Sequence, residues 1–173
     1  MTIDDGRISA AETGFLLEFD ELYDTDVDDL WQAITTPERL SRWMAPYRGE
    51  FRLGGRWEAI GSDGGVYCGG EITSCEPPRG FTSTWQVIGA PPTELVVRLE
   101  PEGERTRLRL HHAGVTDVDY GAGWHAYLES LARHLASPEL DLTKGEAWQR
   151  RLAELAPAYE ARFAAARGAA AHG

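Results

Sequence analysis

Two histidines are the side chains in this sequence best suited to chemistry near neutral pH. His112 ends a strand-like segment, and His125 lies in a helix-like segment next to Trp124. A neutral imidazole in a pocket can orient a ligand or exchange a proton with it. No carboxylate or nucleophile stands at a recognisable spacing from either ring, so a hydrogen-bonded structural role is favoured for both. Adjacent residues of a strand point in opposite directions, so His111 and His112 cannot bind one metal ion together.

A glutamate and a tyrosine form a second candidate polar group. Tyr67, Gly69, Glu71 and Thr73 alternate along one strand-like segment and share a face. If that face points inward, Tyr67 and Glu71 are polar groups of a pocket. If it points outward, Glu71 is a solvated residue of the sheet. A bulge at Gly69-Gly70 would change the register, so the alternation leaves both alternatives open.

Composition and charge exclude several classes of partner. The chain has 173 residues, of which 17 are basic and 28 acidic, and its net charge is -11. A surface with this excess of negative charge does not neutralise phosphate groups. The charge therefore argues against binding of nucleic acid and against docking on an anionic membrane. Cys68 and Cys75 fall on opposite strand faces and are expected to be reduced, buried fillers. No cofactor and no metal is predicted, and the lack of a signal peptide or apolar span predicts a cytoplasmic protein.

The elements that position these side chains follow a simple order. A strand over residues 15–19 precedes two short helices, the first capped by Asp26 and the second starting at Thr36-Pro37. A meander of about six strands follows, and a long helix runs over residues 120–136. Strands in succession followed by a helix favour an α+β fold with a curved antiparallel sheet. The expected strands of the meander cover residues 51–53, 57–59, 66–76, 81–88, 94–100 and 106–112.

The two ends of the chain are treated separately from this unit. Residues 1–13 are polar and predict a flexible arm, residues 14–136 form the main domain, and residues 137–173 form a helical extension. Apolar residues at helical spacing run from Trp148 to Phe163, and Pro157 is expected to kink or restart that helix. The aromatic stripe either packs back on its own domain, which is favoured, or contributes to a homodimer interface.

Five segments carry a resemblance to a known family. The chain resembles bacterial homologues of the heat-shock-protein-90 ATPase activator, within the START-like, Bet v-type helix-grip superfamily. The resemblance implies a seven-stranded antiparallel sheet that grips the long helix over a cavity, and it leaves the function open because the superfamily has many. The segments are TTPERLSRWMAP (35–46), FRLGGRW (51–57), GGEITSCEPPRGFTSTW (69–85), LVVRLEPEGERTRLRLHHAGV (95–115) and GWHAYLESLARHL (123–135).

Within that fold, the alternation of the strands and the helix stripe predict the residues of a ligand pocket. The leading expectation is a binding protein without catalysis, which holds a small hydrophobic or amphipathic molecule. One alternative is a co-chaperone-like or regulatory module that binds a chaperone. The other is a cyclase or hydrolase that uses His112, His125 or Glu71. The predicted pocket residues are Trp43, Trp57, Tyr67, Glu71, Trp85, Val97, Leu110, His112, Trp124, His125, Leu128 and Leu131.

Overall fold

One antiparallel sheet forms the body of the molecule in the computed structural model, which describes residues 1–172. Its eight strands lie in the order β1-β2-β8-β7-β6-β5-β4-β3. Every neighbouring pair is antiparallel, as expected for strands joined by short turns. The strands are β1 (Arg7–Ala10), β2 (Phe15–Tyr23), β3 (Tyr47–Gly49), β4 (Arg56–Ile60), β5 (Val66–Glu76), β6 (Gly80–Val87), β7 (Thr93–Glu102) and β8 (Arg105–Val115).

Four helices complete the fold, and the third lies against the inner face of the sheet. Alternate residues of the strands point inward, and on β8 these include Leu108, Leu110 and His112. They meet the apolar side of the third helix, which carries Trp124 and Leu128. This α+β helix-grip architecture is the predicted one. The helices are α1 (Val27–Thr35), α2 (Pro37–Trp43), α3 (Asp119–Ala136) and α4 (Ala147–Ala171).

Local signals in the sequence set the start of both short helices. The carboxylate of Asp26 accepts a hydrogen bond from the backbone N–H of Asp29 at 2.8 Å, which caps α1. Pro37 opens α2, where its missing N–H costs nothing. The indole N–H of Trp43 donates to the carbonyl of Ala33 at 2.9 Å and ties the two helices together. The two predicted helices are therefore confirmed.

The N-terminal arm and the first meander strand differ from the expectation. Residues 1–13 were expected to be flexible, yet β1 pairs with β2 and raises the strand count from the implied seven to eight. A four-residue edge strand with Ile8 as its one large apolar residue has no detectable alternation. The strand expected over residues 51–53 is absent, because a turn at Gly54-Gly55 occupies that region and β3 lies earlier in the chain.

The C-terminal helix also differs from the expectation, because α4 continues through Pro157 without interruption. Pro157 lies on the exposed side of α4, and so does Ala153, four residues earlier. Because proline has no backbone N–H, the carbonyl of Ala153 loses its helical hydrogen bond, and water can hydrate it instead. The opposite side packs against α3 and β1, with Tyr159 and Phe163 fully buried. In this structure the aromatic stripe therefore packs on its own chain.

Candidate functional site

Two neighbouring hollows adjoin the inner face of the sheet and α3. The inner cavity is lined almost entirely by apolar side chains and has a volume of about 50 Å³, which is too small for an organic ligand of ordinary size. Its space is taken by indole rings, since the ring centroids of Trp57 and Trp85 are 5.0 Å apart and those of Trp85 and Trp124 are 5.4 Å apart. The region that alternation predicted to be a pocket is therefore largely packed core.

The second hollow, the mouth cleft, opens at the end of α3 where the chain enters from β8. Its volume is about 280 Å³, close to the lower end of ordinary ligand pockets. Met44, Trp85 and Trp124 line both hollows, so these three side chains lie between the inner cavity and the cleft. The mouth cleft is lined by Met44, Tyr67, Trp85, Val87, Asp117, Asp119, Tyr120, Gly123, Trp124, Tyr127, Trp148 and Leu152.

An unbroken series of aromatic contacts leads from the core to the cleft. Trp124 contacts Tyr127 with ring centroids 6.3 Å apart, and Tyr127 stacks on Trp148 of α4 at 4.7 Å. Trp148 and Leu152 are the parts of α4 that complete the wall of the cleft. The mouth cleft is thus built jointly by the helix-grip sheet and by the C-terminal extension.

Two indole N–H groups beside this cleft have no acceptor. Trp43, Trp57 and Trp124 each donate within the protein, at 2.8 to 2.9 Å. The Nε1 atoms of Trp85 and Trp148 are buried and make no hydrogen bond among the described residues. Buried indole donors usually find a partner. Both residues contribute to the wall of the mouth cleft, but their Nε1 atoms are not exposed in it.

His112 lies behind this wall, and both of its ring nitrogens are engaged. The indole N–H of Trp124 donates to Nδ1 at 2.9 Å, so Nε2 carries the proton and donates to the hydroxyl of Thr93 at 2.6 Å. That hydroxyl in turn donates to the carbonyl of Trp85 at 2.9 Å. Burial lowers the pKa of His112 to about 3. A neutral, fully bonded imidazole positions Trp85 and Trp124 and has no free nitrogen for a ligand.

His125 lies on the other side of α3, away from both hollows. Its Nδ1 is 2.8 Å from the hydroxyl of Tyr159, and its Nε2 is 3.3 Å from the carboxylate of Glu129. Glu129 also binds Arg151 through two hydrogen bonds of 2.8 Å. Burial lowers the pKa of His125, and the nearby Glu129 opposes that shift. The cluster joins α3 to α4, and the pocket position predicted for His125 is wrong because the helix directs it to α4.

The register of β5 decides between the two alternatives for Glu71 and Tyr67. Glu71 points outward, is half exposed and lies 3.5 Å from Arg56, so it is a solvated sheet residue. Tyr67 is the extra residue of a bulge, because β4 pairs Ala59 with Cys68 and Ile60 with Val66. The bulge turns Tyr67 into the mouth cleft.

Of the two alternatives for Gly69-Gly70, a bulge or a sharp bend, the register shows no bulge at the pair itself. The two register shifts of β5 fall at Tyr67 and Thr73, on either side of Gly69-Gly70. Gly70 has another reason to be glycine: a Cβ there would lie 1.9 Å from the carbonyl oxygen of Thr84. The glycine pair therefore allows two backbones to approach closely where the sheet curls.

The predicted pocket residues divide into four groups according to the hollow that they line. Trp85 and Trp124 line both hollows and Tyr67 lines the mouth cleft, whereas His112, His125 and Glu71 line neither. Sequence reasoning missed most of the mouth, including Tyr120, Tyr127 and Trp148. The helical spacing of Tyr120, Trp124 and Tyr127 was the available signal. The remaining predicted residues line the inner cavity but not the mouth cleft. They are Trp43, Trp57, Val97, Leu110, Leu128 and Leu131.

Other kinds of site can be checked against the same residues. Among residues 1–172, no three His, Cys, Asp or Glu side chains converge in a way that could hold a metal ion. None of the helices in that range combines the length and the apolar character needed to cross a bilayer. Burial raises the pKa of the Cys68 thiol to about 12, so that thiol is unreactive at neutral pH.

The curled sheet, the gripped helix and the aromatic hollow define a START-like helix-grip protein, a fold that commonly binds small hydrophobic ligands. The chain belongs to the family described as "Activator of Hsp90 ATPase homolog 1-like protein", which matches residues 24–136. The family suggested by the five sequence segments is thereby confirmed. No curated protein matches the chain.

Solved structures agree with this assignment. CalU16 from Micromonospora echinospora is 29% identical with a TM-score of 0.75, and the match covers 92% of this chain and 97% of that chain. DynU16, a protein of the dynemicin biosynthetic locus, is 22% identical with a TM-score of 0.65 over 71% of this chain and 48% of that one. An HSP90 activator from Plasmodium falciparum is 20% identical with a TM-score of 0.51, over 58% of this chain and 73% of that one.

Proposed function

We propose that this protein binds a small hydrophobic or amphipathic molecule, with the apolar part seated in the mouth cleft. The observation that carries the proposal is a hollow of about 280 Å³, half of whose lining residues are aromatic, next to an apolar inner cavity. Apolar walls with a few polar groups are typical of ligand sites. The polar groups here are tyrosines and two carboxylates at the rim, Asp117 and Asp119.

The proposal assigns different tasks to the parts of the chain. Residues 14–136 supply seven of the eight strands, the gripped helix and the inner part of the site. Residues 137–173 supply Trp148 and Leu152, which close one side of the cleft. The molecule is held without a chemical step, because His112 has no free nitrogen, and His125 and Glu71 face away from the cleft.

Gly123 offers a direct test of the site. It lines the cleft, and a Cβ added there would meet no atom within 4 Å. Gly123→Leu therefore projects a side chain into the cleft from a Cβ that has room, and the loss of a helical glycine stabilises α3 by about 1 kcal/mol. The affinity for N-phenyl-1-naphthylamine, a neutral fluorescent probe, should fall at least tenfold while the melting temperature holds or rises.

Gly168→Leu is the matched control. Gly168 is also a helical glycine with open space around its Cβ, but it lies near the exposed end of α4. This variant should keep the probe affinity of the parent chain. Equal probe affinity in Gly123→Leu and the parent would contradict the mouth cleft as the binding site. Native mass spectrometry of protein purified from its own host would identify a molecule that the protein retains.

A second candidate function is a regulatory module that binds a chaperone. It is favoured by one observation, the family match over residues 24–136. Coprecipitation with the chaperone of the same host, in a complex of fixed stoichiometry, would support it. Gly123→Leu separates the two functions, because a chaperone complex that survives this substitution does not depend on the cleft.

A further inference from the structure

The charged side chains that line the mouth cleft are all acidic. Asp117 and Asp119 lie at its rim and are exposed, and no Lys, Arg or His of the described residues lines it. Asp117 accepts one hydrogen bond, from the backbone N–H of Asp119 at 2.9 Å. Within residues 1–172, neither carboxylate belongs to an ion pair. The rim therefore presents negative charge that a bound molecule can offset.

The charge of Asp117 is felt by a side chain in the wall of the cleft. Burial raises the pKa of the Tyr120 phenol, and the negative charge of Asp117 adds to that rise. A field that opposes a phenolate at Tyr120 favours a positive group close by. Charges at such short range are only partly screened, because the Debye length at physiological salt is about 8 Å.

The walls of the cleft suit a cation that carries apolar groups. Indole and phenol rings attract a cation through the negative charge of their faces, and an alkylated ammonium group is the cation that aromatic sites most often take. Its methyl groups also bury apolar area against rings and aliphatic side chains. Six of the twelve lining residues are aromatic, namely Tyr67, Trp85, Tyr120, Trp124, Tyr127 and Trp148.

Neutral and anionic molecules of the same shape match this surface less well. A neutral molecule leaves the carboxylates of Asp117 and Asp119 without a counter-charge. An anion meets like charge, and no basic side chain among the described lining residues offsets it. The net charge of the whole chain, -11, also attracts cations as they approach.

We infer that the mouth cleft selects amphipathic organic cations, with an alkylated ammonium group near Asp117 and Asp119 and the apolar body against the aromatic walls. The inference rests on the proposed binding function and adds the class of ligand to it. The acidic rim and the aromatic walls act on the same molecule, because all of these residues line one hollow.

The test compares three probes that share a naphthalene ring and a tetrahedral head group. The cation is trimethyl(1-naphthylmethyl)ammonium, its neutral isostere is 1-neopentylnaphthalene, and the anion is 1-naphthylmethanesulfonate. Displacement of N-phenyl-1-naphthylamine at low salt measures all three affinities. The cation should bind about two- to fivefold more tightly than the neutral isostere. It should bind at least about tenfold more tightly than the sulfonate, since the carboxylates attract one and repel the other.

A double substitution at the rim tests the part played by the carboxylates. Asp117→Asn combined with Asp119→Asn removes both charges and keeps a side-chain oxygen that can accept the hydrogen bond inside the rim. The ratio of the cation and sulfonate affinities should fall about three- to tenfold. The affinity for 1-neopentylnaphthalene should stay at the parent value, which shows that the cleft is intact.

Asp28→Asn combined with Glu104→Gln is the matched control. It removes the same number of charges at the opposite end of the strands, where the loop before α1 meets β8 through a hydrogen bond of 2.8 Å from Thr106 to Thr25. Asp28, like Asp119, lies in the first turn of its helix. This control should keep the parent ratio. Gly123→Leu should weaken the cation at least tenfold in isothermal titration, because its side chain enters the cleft.

The outcomes separate the inference from the proposed function. The inference is overturned if the cation binds no more tightly than the sulfonate or the neutral isostere, or if the rim variant keeps the parent ratio; binding of 1-neopentylnaphthalene would still uphold the proposed function. An equal fall in the matched control, or full cation affinity in Gly123→Leu, would also overturn it by placing the cation outside the cleft. If none of the three probes and no N-phenyl-1-naphthylamine binds, the proposed function fails as well.

Discussion

At the scale of single residues, His112 shows how burial can convert a reactive side chain into a structural one. Its ring bridges the indole of Trp124 on α3 and the hydroxyl of Thr93 on β7. The chain of donors ends at the backbone carbonyl of Trp85, and the Trp85 ring itself lies 5.7 Å from the imidazole, so His112 contacts both indoles of the wall shared by the hollows. Protonation would replace the acceptor at Nδ1 with a donor and break the contact with Trp124.

The pH dependence of stability should reveal this role. The pKa of His112 is about 3 in the folded protein against an ordinary value of 6.5, so the unfolded chain binds the extra proton between these values. Stability supplied by the neutral ring is therefore complete above pH 6.5 and is lost as the pH falls towards 3. The loss amounts to about 3 kcal/mol by pH 4.

Urea unfolding of the parent and of His112→Gln between pH 8 and pH 4 measures this contribution. The variant should be less stable at pH 8, since its amide reproduces the two hydrogen bonds imperfectly. Its stability should nevertheless fall less steeply with acid, because it lacks the titrating ring. Parallel curves for the two proteins would show that His112 does not supply the acid dependence.

At the scale of secondary-structure elements, the sequence predicted what local patterns determine. The sequence predicted α1, α2 and α3 correctly from three local signals. These are the cap at Asp26, the proline that starts α2 and the long apolar stripe of α3. β1 was missed because its pairing with β2 depends on tertiary contacts. The N–H of Gly6 donates to Tyr159 at 2.8 Å, and Ile3 is buried in the core. Such long-range contacts leave no periodic signal in a short polar segment.

The site was harder to predict than the elements for a related reason. Alternation identifies which side chains point inward but does not measure the space left between them. Trp57, Trp85 and Trp124 were placed inward correctly, yet their rings fill the interior and move the usable hollow to the mouth. Tyr67 reached the cleft only through a bulge, and a bulge reverses the face that alternation assigns.

Two glycines on α3 provide a prediction at the element scale. Gly121 faces α4, where an added Cβ would lie 2.3 Å from the ring of Tyr159, whereas Gly123 faces open space. Tyr159 cannot easily move, because its hydroxyl is bonded to Gly6 and His125. Gly121→Ala should therefore destabilise the protein by about 1–3 kcal/mol through overpacking, despite its gain in helix propensity.

Gly123→Ala is the internal control for that substitution. It makes the same chemical change two residues along the same helix and should stabilise the protein by up to about 1 kcal/mol. The free energy of unfolding in urea measures both changes. Opposite signs support close packing of α4 on α3 at Gly121, and a gain in stability for both variants contradicts it.

At the scale of the whole molecule, the C-terminal extension is both a fastened element and a wall of the site. Its middle is held by Tyr159 and Phe163 in the core, and Arg162 forms an ion pair with Asp5 of the N-terminal arm. Its first turns carry Trp148 and Leu152 to the cleft. The sequence favoured packing of the α4 stripe on its own domain over a homodimer interface, but it did not indicate which side chains make these contacts.

This arrangement predicts that ligand binding protects α4 from local opening. If α4 leaves α3, the cleft loses Trp148 and Leu152, so the open state no longer binds. A probe that binds only the closed state, at 100 times its dissociation constant, stabilises that state by about 2.7 kcal/mol. Hydrogen exchange of the α4 amides over residues 148–155 should then slow about a hundredfold in saturating N-phenyl-1-naphthylamine.

The same probe should leave these amides unprotected in Gly123→Leu, where the cleft is filled. Exchange at an equal rate with and without probe in the parent chain would mean that the ligand rests on the helix-grip sheet alone and that α4 plays no part in holding it.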